Sequence, residues 1–511
     1  MSRPAIVFIG FMGAGKSTAA AAAARNAGIE PLDTDALLER DFGSSIEDFF
    51  AAHGEQEFRR REEALATELL AKAEGGAIAL GGGSVLSPKV REALDRHTVV
   101  WLQVDPEEAW RRVEGKGRPL ASDGAAFEAL LNERRALYEA LADAVLMPAG
   151  RQAVGRALPA LSALADLPAG TKLLWAASAS GEYPVFVGRG LLGAAWWPLE
   201  GRRFGVTDRA VGPLYADRLA GLEALVEVEP GEGAKTMAEA ERVLSELAKA
   251  GMTGEDHLVA LGGGVVGDLA GFCAHTYQRG VPVVQAPTTL VAQVDSAYGG
   301  KTGVDLPEGK NYAGAYHLPA AVIADVETLA TLPAEDLAAG FVEALKTGLL
   351  AGGPLWQRVR AIESLDPAEL DDVVFACARY KCEVVAADER DGGLRHQLNL
   401  GHTVGHAIEA ASGYERYRHG EAVGLGLLAA LRLSDAPELH GEVAAQLARH
   451  GLPAKLDPAI DAAAVIDALQ RDKKRTAAGV GFVLLSAPGE PRVGQLVDPA
   501  KVEAAVQELY E

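Results

Sequence analysis

Hydrophobic positions along this chain follow two rhythms. Through the first third, short apolar runs such as AIVFIG (5–10), AIAL (77–80) and VVWLQV (99–104) alternate with stretches whose apolar residues recur at helical spacing. Uninterrupted apolar runs this short, ended by Gly or polar residues, read as strands buried on both faces, so the alternation predicts a parallel sheet with crossover helices. The segment ADLPAGTK (165–172) breaks the pattern with Pro, Gly and charge before a strand-like run opens at LLWAAS, which marks a linker. From 173 to about 325 the chain stays rich in strand signals and Gly, and from about 333 long Ala/Leu periodicities of helical type take over.

These rhythms predict an α/β chain in four parts: residues 1–165, a parallel sheet with flanking helices; 166–172, a linker; 173–332, an α/β subdomain; and 333–511, an all-helical subdomain. A length of 511 residues supports the division, because a single hydrophobic core stops growing well before that size. The Gly triplets at 81–83 and 262–264 have unrelated flanks and make no repeat.

Composition narrows the function classes. A formal net charge of −22 argues against a nucleic-acid surface, which needs clustered Lys and Arg. No stretch is long and apolar enough to suggest a membrane span, and the N-terminus runs directly into a strand rather than a leader, so the expectation is a cytoplasmic chain without membrane partners. Cys273, Cys377 and Cys382 form no CxxC pair and read as small buried hydrophobes.

Chemistry enters at Gly10 to Thr18, GFMGAGKST, which fits GxxxxGK[ST] between a strand and a helix. Backbone N–H groups around Gly13, Ala14, Gly15 and Thr18 would cradle the phosphates of ATP, Lys16 would neutralise them, and Ser17 would ligate Mg²⁺. Asp33 and Asp35 in LDTD follow the next strand. They read either as one acid near Mg²⁺ and one facing a substrate hydroxyl, or as an Asx turn capping the helix from Ala36. Asp105 in DPEEAW has Pro and Glu behind it and reads as a helix cap.

FRRRE (58–62), GGGSV (81–85), GRPL (117–120) and NERRALY (132–138) follow in order, and with the P-loop they make residues 1–165 resemble shikimate kinase. The resemblance implies that Asp35, Arg59, Gly82 and Arg134 hold shikimate, that Arg118 sits on a lid and stabilises the transferring phosphoryl group, and that Asp33 helps to place Mg²⁺. Paired arginines suit an anionic substrate.

In the second half, Gly262-x-Gly264-x-x-Gly267 lies between a predicted strand and helix. It reads as a dinucleotide turn or as a plain tight turn, since no acid follows about twenty residues later. Farther on, His402 and His406 lie four apart on one helix face, His419 follows, and Glu343 shares a face with Lys346. Such a set suits a catalytic zinc, and spacing alone selects the His402/His406 pair.

PGEGAKT, GGGVVGD, APTTL, QVDSAYGGKTGVDLPEGKN, GFVEALKTG, LNLGHTVGHAIE and RHGEAVG follow the order seen in 3-dehydroquinate synthase, so residues 175–505 closely resemble that family. The resemblance implies Zn²⁺ or Co²⁺ on Glu343, His402 and His419, with His406 a substrate contact. It implies NAD⁺ on Asp208, Glu232, Lys235, Gly264, Val265, Asp268, Thr288, Thr289, Lys310 and Thr328. It places Asp295, Lys301, Asn311, Lys346, Lys381, Arg395, Asn399, His406 and Lys473 or Lys474 around a seven-carbon keto-acid sugar phosphate. Arg279 is expected to reach the site of a second subunit in a homodimer. The implied chemistry is redox-neutral: a hydroxyl is oxidised by NAD⁺, phosphate is eliminated, the ketone is reduced again, and ring opening and closure give 3-dehydroquinate. Ala297, Tyr298 and Asp305 depart from the family pattern. Runner-up readings are a glycerol-type polyol dehydrogenase, a cyclase of sugar phosphates without a carboxylate, or a scaffold with one inactive half. Lys301, Lys381 and Arg395 favour an anionic acid substrate.

Overall fold

A computed structural model of the chain describes residues 4–114, 123–148, 152–471, 475–476 and 479–511. It divides into two compact units, Met1–Ala177 with Glu182–Phe186, and Ser178–Gly181 with Val187–Glu511.

In the first unit the elements in chain order are β1 (Ile6–Ile9), α1 (Lys16–Ala27), β2 (Leu32–Asp33), α2 (Thr34–Phe42), α3 (Ile46–Lys72), β3 (Ala77–Ala79), α4 (Pro88–Leu94), β4 (Thr98–Leu102), α5 (Pro106–Val113), α6 (Gly124–Leu141), β5 (Ala144–Leu146), α7 (Ala153–Ala163) and β6 (Lys172–Ala177). The strands run parallel in the order β2-β3-β1-β4-β5-β6. Every residue of β3, β4 and β5 is buried, as a sheet covered on both faces requires. α5 starts where the sequence pattern puts it, with the Asp105 carboxylate accepting from Glu108 N and Pro106 in the first turn.

In the second unit β8 (Arg203–Asp208), α8 (Gly212–Tyr215), β9 (Leu222–Val228), α9 (Met237–Lys249), β10 (His257–Gly262), α10 (Gly264–Thr276), β11 (Val283–Pro287) and β14 (Ala321–Asp325) follow, and the strands pair in parallel in the order β14-β11-β10-β8-β9. Strand β7 (Glu182–Gly188) straddles the division between units, and β12 (Lys301–Leu306) with β13 (Gly309–Tyr316) forms an antiparallel hairpin. Phe204, Val243, Leu258, Leu269 and Val283 belong to the core between sheet and helices.

The C-terminal part is helical: α11 (Ala334–Ala351), α12 (Gly353–Arg360), α13 (Asp371–Ala387), α14 (His402–Ala411), α15 (His419–Leu433), α16 (Pro437–Arg449), α17 (Ala462–Arg471) and α18 (Pro499–Gln507). It is not all-helical, because β15 (Arg475–Thr476), β16 (Gly479–Leu485) and β17 (Pro491–Leu496) form a small antiparallel sheet. The apolar run FVLL is too short for its period to separate strand from helix, which is why the helical reading absorbed it. Residues Leu337 to Leu350 of α11 are all buried, the mark of a helix surrounded by others. α15 packs closely on its neighbours. A Cβ on Gly420 would lie 1.9 Å from the Ala339 carbonyl oxygen of α11, and one on Gly426 2.0 Å from the Gly401 oxygen that leads into α14. Only glycine permits these approaches.

Candidate active sites

The first site forms where β1 ends. Gly13 (φ 80°) and Gly15 (φ 89°) carry the chain through a left-handed turn into α1, and Lys16 Nζ donates to the carbonyls of Gly10 and Phe11 at 3.0 and 3.1 Å. This loop and the start of α1 bring together Gly13, Ala14, Gly15, Lys16, Ser17 and Thr18. Beside them Met12, Asp35, Ile46, Phe50, Phe58, Arg59, Glu62, Gly82, Gly83 and Arg134 line a cleft open to solvent. Asp35, Arg59, Gly82 and Arg134, implied as one substrate site by resemblance, thus share one cavity. Asp33 caps α2, accepting from Asp35 N and Ala36 N, the Asx geometry that the sequence left open.

Neighbouring arginines separate cleanly. Arg59 pairs with the buried Glu62 at 2.6 Å, whereas Arg60 and Arg61 reach Glu57 at 2.6 and 3.1 Å. Arg134 is buried, and Arg135 is exposed. Tyr138 donates to the Gly82 carbonyl at 2.6 Å, and burial pushes its phenol up to about 12. Sequence reasoning passed over Glu62, which holds Arg59 and accepts from Ser84 at 2.9 Å. Its signal was there, an acid one helical turn after Arg59. Arg118 lies outside the described residues, as do Lys473 and Lys474.

The second site lies in the other unit. α10 begins at Gly264, directly after β10, so Gly264 and Val265 lie in its first turn, whose backbone N–H groups have no partner within the helix. Around it Lys235 meets Glu232 and Asp268 at 3.1 Å each and Asp305 at 4.0 Å, and Lys310 lies 3.9 Å from Glu232. Burial pushes the Asp268 carboxyl up to about 6, against the pull of Lys235. Asp208 accepts from Ala210 N and Val211 N. Thr288 and Thr289 follow β11, and the Thr328 hydroxyl donates to the Asp325 carbonyl at 2.7 Å. Of the family departures, Asp305 accepts from Asn311 N at 2.7 Å, Ala297 is buried, and Tyr298 is buried with its hydroxyl on the Gln293 carbonyl.

Three helices of the same unit converge. Glu343 (α11), His402 (α14) and His419 (α15) offer ligand atoms that all lie within 4.8 Å of one another. Neither Glu343 oxygen has a well-aligned hydrogen bond, although the Lys346 ammonium stands 2.6 Å away. Two imidazoles and a buried carboxylate within reach of one another fit a divalent cation of the zinc type. Burial and the Lys346 charge hold His402 well below the usual imidazole range. The ring of His419 is 40% exposed yet crowded by protein, and Glu343 and Glu409 outweigh its desolvation to lift it to about 10. His406 is exposed, with its ring centroid 5.3 Å from that of His402. Lys346 also meets Asp295 at 2.9 Å, and Lys381 reaches the other oxygen of Asp295. Burial opposes ionisation of Asp295, but these two ammoniums outweigh it. Lys301 pairs with Asp391 at 2.5 Å, Arg395 donates to the Glu389 carbonyl at 2.7 Å, and Asn399 ends the turn before α14. Arg279 is exposed on a left-handed turn (φ 73°), and Asn311 has φ 56°. Asp391 carries no motif of its own, and Glu409, which closes LNLGHTVGHAIE, was given no role from the sequence.

Comparison with known proteins decides the family. Residues 225–339 match the model for the 3-dehydroquinate synthase N-terminal region and 340–475 that for its C-terminal region. Over 351 residues the chain is 43% identical to a 3-dehydroquinate synthase of Symbiobacterium thermophilum, covering 98% of it and 64% of this chain. The chain belongs to the 3-dehydroquinate synthase family. A shikimate kinase domain precedes it, since residues 12–160 match the shikimate kinase model. The synthase of Halorhodospira halophila is 42% identical over 349 residues, which is 98% of that protein and 65% of this chain. Among solved structures, a 2-epi-5-epi-valiolone synthase from Streptomyces hygroscopicus with NAD⁺ and Zn²⁺ bound is 28% identical with a TM-score of 0.59, covering 66% of this chain and 99% of that one. The chain is thus a fusion of a phosphotransferase and a lyase of the shikimate pathway. No described helix is long and apolar enough to cross a membrane.

Proposed function

We propose that both halves work: the kinase half transfers the γ-phosphoryl of Mg²⁺-ATP to shikimate, and the synthase half converts a seven-carbon keto-acid sugar phosphate to 3-dehydroquinate with loss of phosphate. The observation that carries this reading is the continuous chain of charges Glu343–Lys346–Asp295–Lys381 beside the Glu343, His402, His419 triangle. A divalent metal held there supplies polarisation of a substrate oxygen, and NAD⁺ held along Gly264 and Asp268 supplies reversible hydride transfer.

The residues divide the remaining work. Lys301, Lys381 and Arg395 pair with the anionic ends of the substrate, and Lys346, held charged by Asp295 and Glu343 despite burial, orients its oxygens. His406 contacts substrate from the exposed side. Asn399 and Asn311 donate or accept at hydroxyls, and Asp208, Glu232, Lys235, Lys310 and the three threonines hold NAD⁺. In the kinase half Arg59 and Arg134 clamp the carboxylate, Asp35 accepts from the hydroxyl to be phosphorylated, and Lys16 neutralises phosphate oxygens. In this reading the kinase ends at residue 165 and the synthase begins at 173. The chain works in the cytoplasm, and the synthase halves pair so that the exposed Arg279 enters a partner's site.

Assay of the intact chain with shikimate and ATP, and separately with the seven-carbon phosphate and NAD⁺, tests the reading. Both reactions are expected, with zinc retained in His406→Ala and lost in His402→Ala and His419→Ala. A metal-free His406→Ala beside a zinc-replete His419→Ala would restore the i, i+4 pair as ligands and reject this assignment.

A further inference from the structure

We propose that Glu409 is a positioning residue for the metal centre: its carboxylate accepts the Nδ1–H of His419 and thereby turns the Nε2 lone pair of that ring toward Glu343 and the ion. The proposal rests on Glu343, His402 and His419 being the ligands.

His419 stands at the first position of α15, so no preceding helical turn confines its ring. Two carboxylates do so instead. Glu343 Oε1 lies 3.3 Å from Nε2, and Glu409 Oε1 lies 3.4 Å from Nδ1 on the far side of the ring. A neutral imidazole carries one proton, and the nitrogen that loses it is the one able to bind metal. A carboxylate at Nδ1 fixes the proton there, leaves Nε2 as the donor, and raises its basicity. Glu409 is suited to this, since its side chain is only 8% exposed and a buried carboxylate requires a partner. His406, Glu409 and His419 also fall within 4.8 Å of one another, which makes a direct ligand role the rival for Glu409. That arrangement includes an exposed His406, and Glu409 meets His419 at Nδ1, away from the Nε2 that meets Glu343.

Full-length Glu409→Ala, Glu409→Gln and His419→Ala, each stripped and reloaded, are titrated with Zn²⁺ against a chromophoric chelator. The visible spectra of their Co²⁺ forms are recorded, and NAD⁺ affinity and thermal unfolding report an intact synthase half. Glu409→Ala is expected to bind Zn²⁺ about 10–100-fold more weakly, with shifted Co²⁺ bands. Glu409→Gln, which matches the glutamate in size and still offers an acceptor, is expected to weaken binding by about tenfold. Parental affinity and spectrum in Glu409→Gln and Glu409→Ala, with metal lost from His419→Ala, would overturn the role of Glu409 and leave the ligand set standing. Metal lost from Glu409→Gln as completely as from His419→Ala would make Glu409 a ligand and overturn the proposal. Metal retained by His419→Ala would reject the ligand set itself.

Discussion

The two sites handle charge in opposite ways. In the kinase cleft, open to solvent, Arg59 is steadied by Glu62 one turn along the same helix, and the cleft takes its cations, Arg59 and Arg134, from two helices of one small unit. In the synthase, Glu343, Lys346, Asp295 and Lys381 form a buried alternation of charges drawn from α11, α13 and the segment around 295, with histidines from two further helices beside it. An open site needs only local order, because water and substrate screen what is unpaired. A buried one must balance every charge before the substrate arrives, since removing one partner of a buried pair leaves an uncompensated charge at about 3–5 kcal/mol.

The contrast can be broken most severely at the P-loop. Lys16→Ala is expected to reduce shikimate phosphorylation by about a thousandfold or more while cyclisation continues at the parental rate, because the sites lie in separate compact units. Equal loss of both rates in steady-state assays contradicts the separation. Next in size is Gly426→Ala. Its methyl meets the Gly401 carbonyl oxygen, so α15 must shift, the synthase half is destabilised by about 1–3 kcal/mol, and metal content and cyclisation fall together. Calorimetry should show one transition lowered and the kinase rate preserved.

Smaller effects sharpen the kinase side. Arg59→Lys keeps the charge but loses the planar fork, so the KM for shikimate should rise about 10–100-fold with ATP affinity unchanged. Arg60→Lys, on an exposed pair with Glu57, should leave stability and shikimate binding close to parental. The smallest concerns pH. Burial raises the Asp268 carboxyl to about 6, so its charged form is lost as pH falls through that value. NAD⁺ affinity is expected to weaken below about pH 6, and Asp268→Asn should flatten that limb of a calorimetric titration.

How much of this was legible in the sequence depends on how local each feature is. The P-loop, the cap at Asp105 and the paired arginines sit in short segments whose order names the kinase. The parallel sheets follow from apolar runs of fixed length. The candidate metal triangle was different, because helical spacing favours His402 with His406, while the fold also brings in His419 from the next helix, where Gly420 and Gly426 allow close approach. Asp391 carries no pattern, and Glu409 closes the LNLGHTVGHAIE motif without a legible role, since an acid facing a histidine or a lysine across two elements has no sequence period. The β16–β17 pair escaped for lack of length.

Strand β6 has a practical consequence for anyone who wishes to express the kinase alone. It pairs along β5, with Ala144 beside Leu173 and Leu146 beside Trp175, and belongs to the same compact unit. Stopping the gene in the Pro/Gly segment at 166–172 would strip that neighbour and leave β5 as a bare row of N–H and C=O groups, inviting two copies to zip together edge to edge. A stop codon after Phe186 keeps β5 paired with β6.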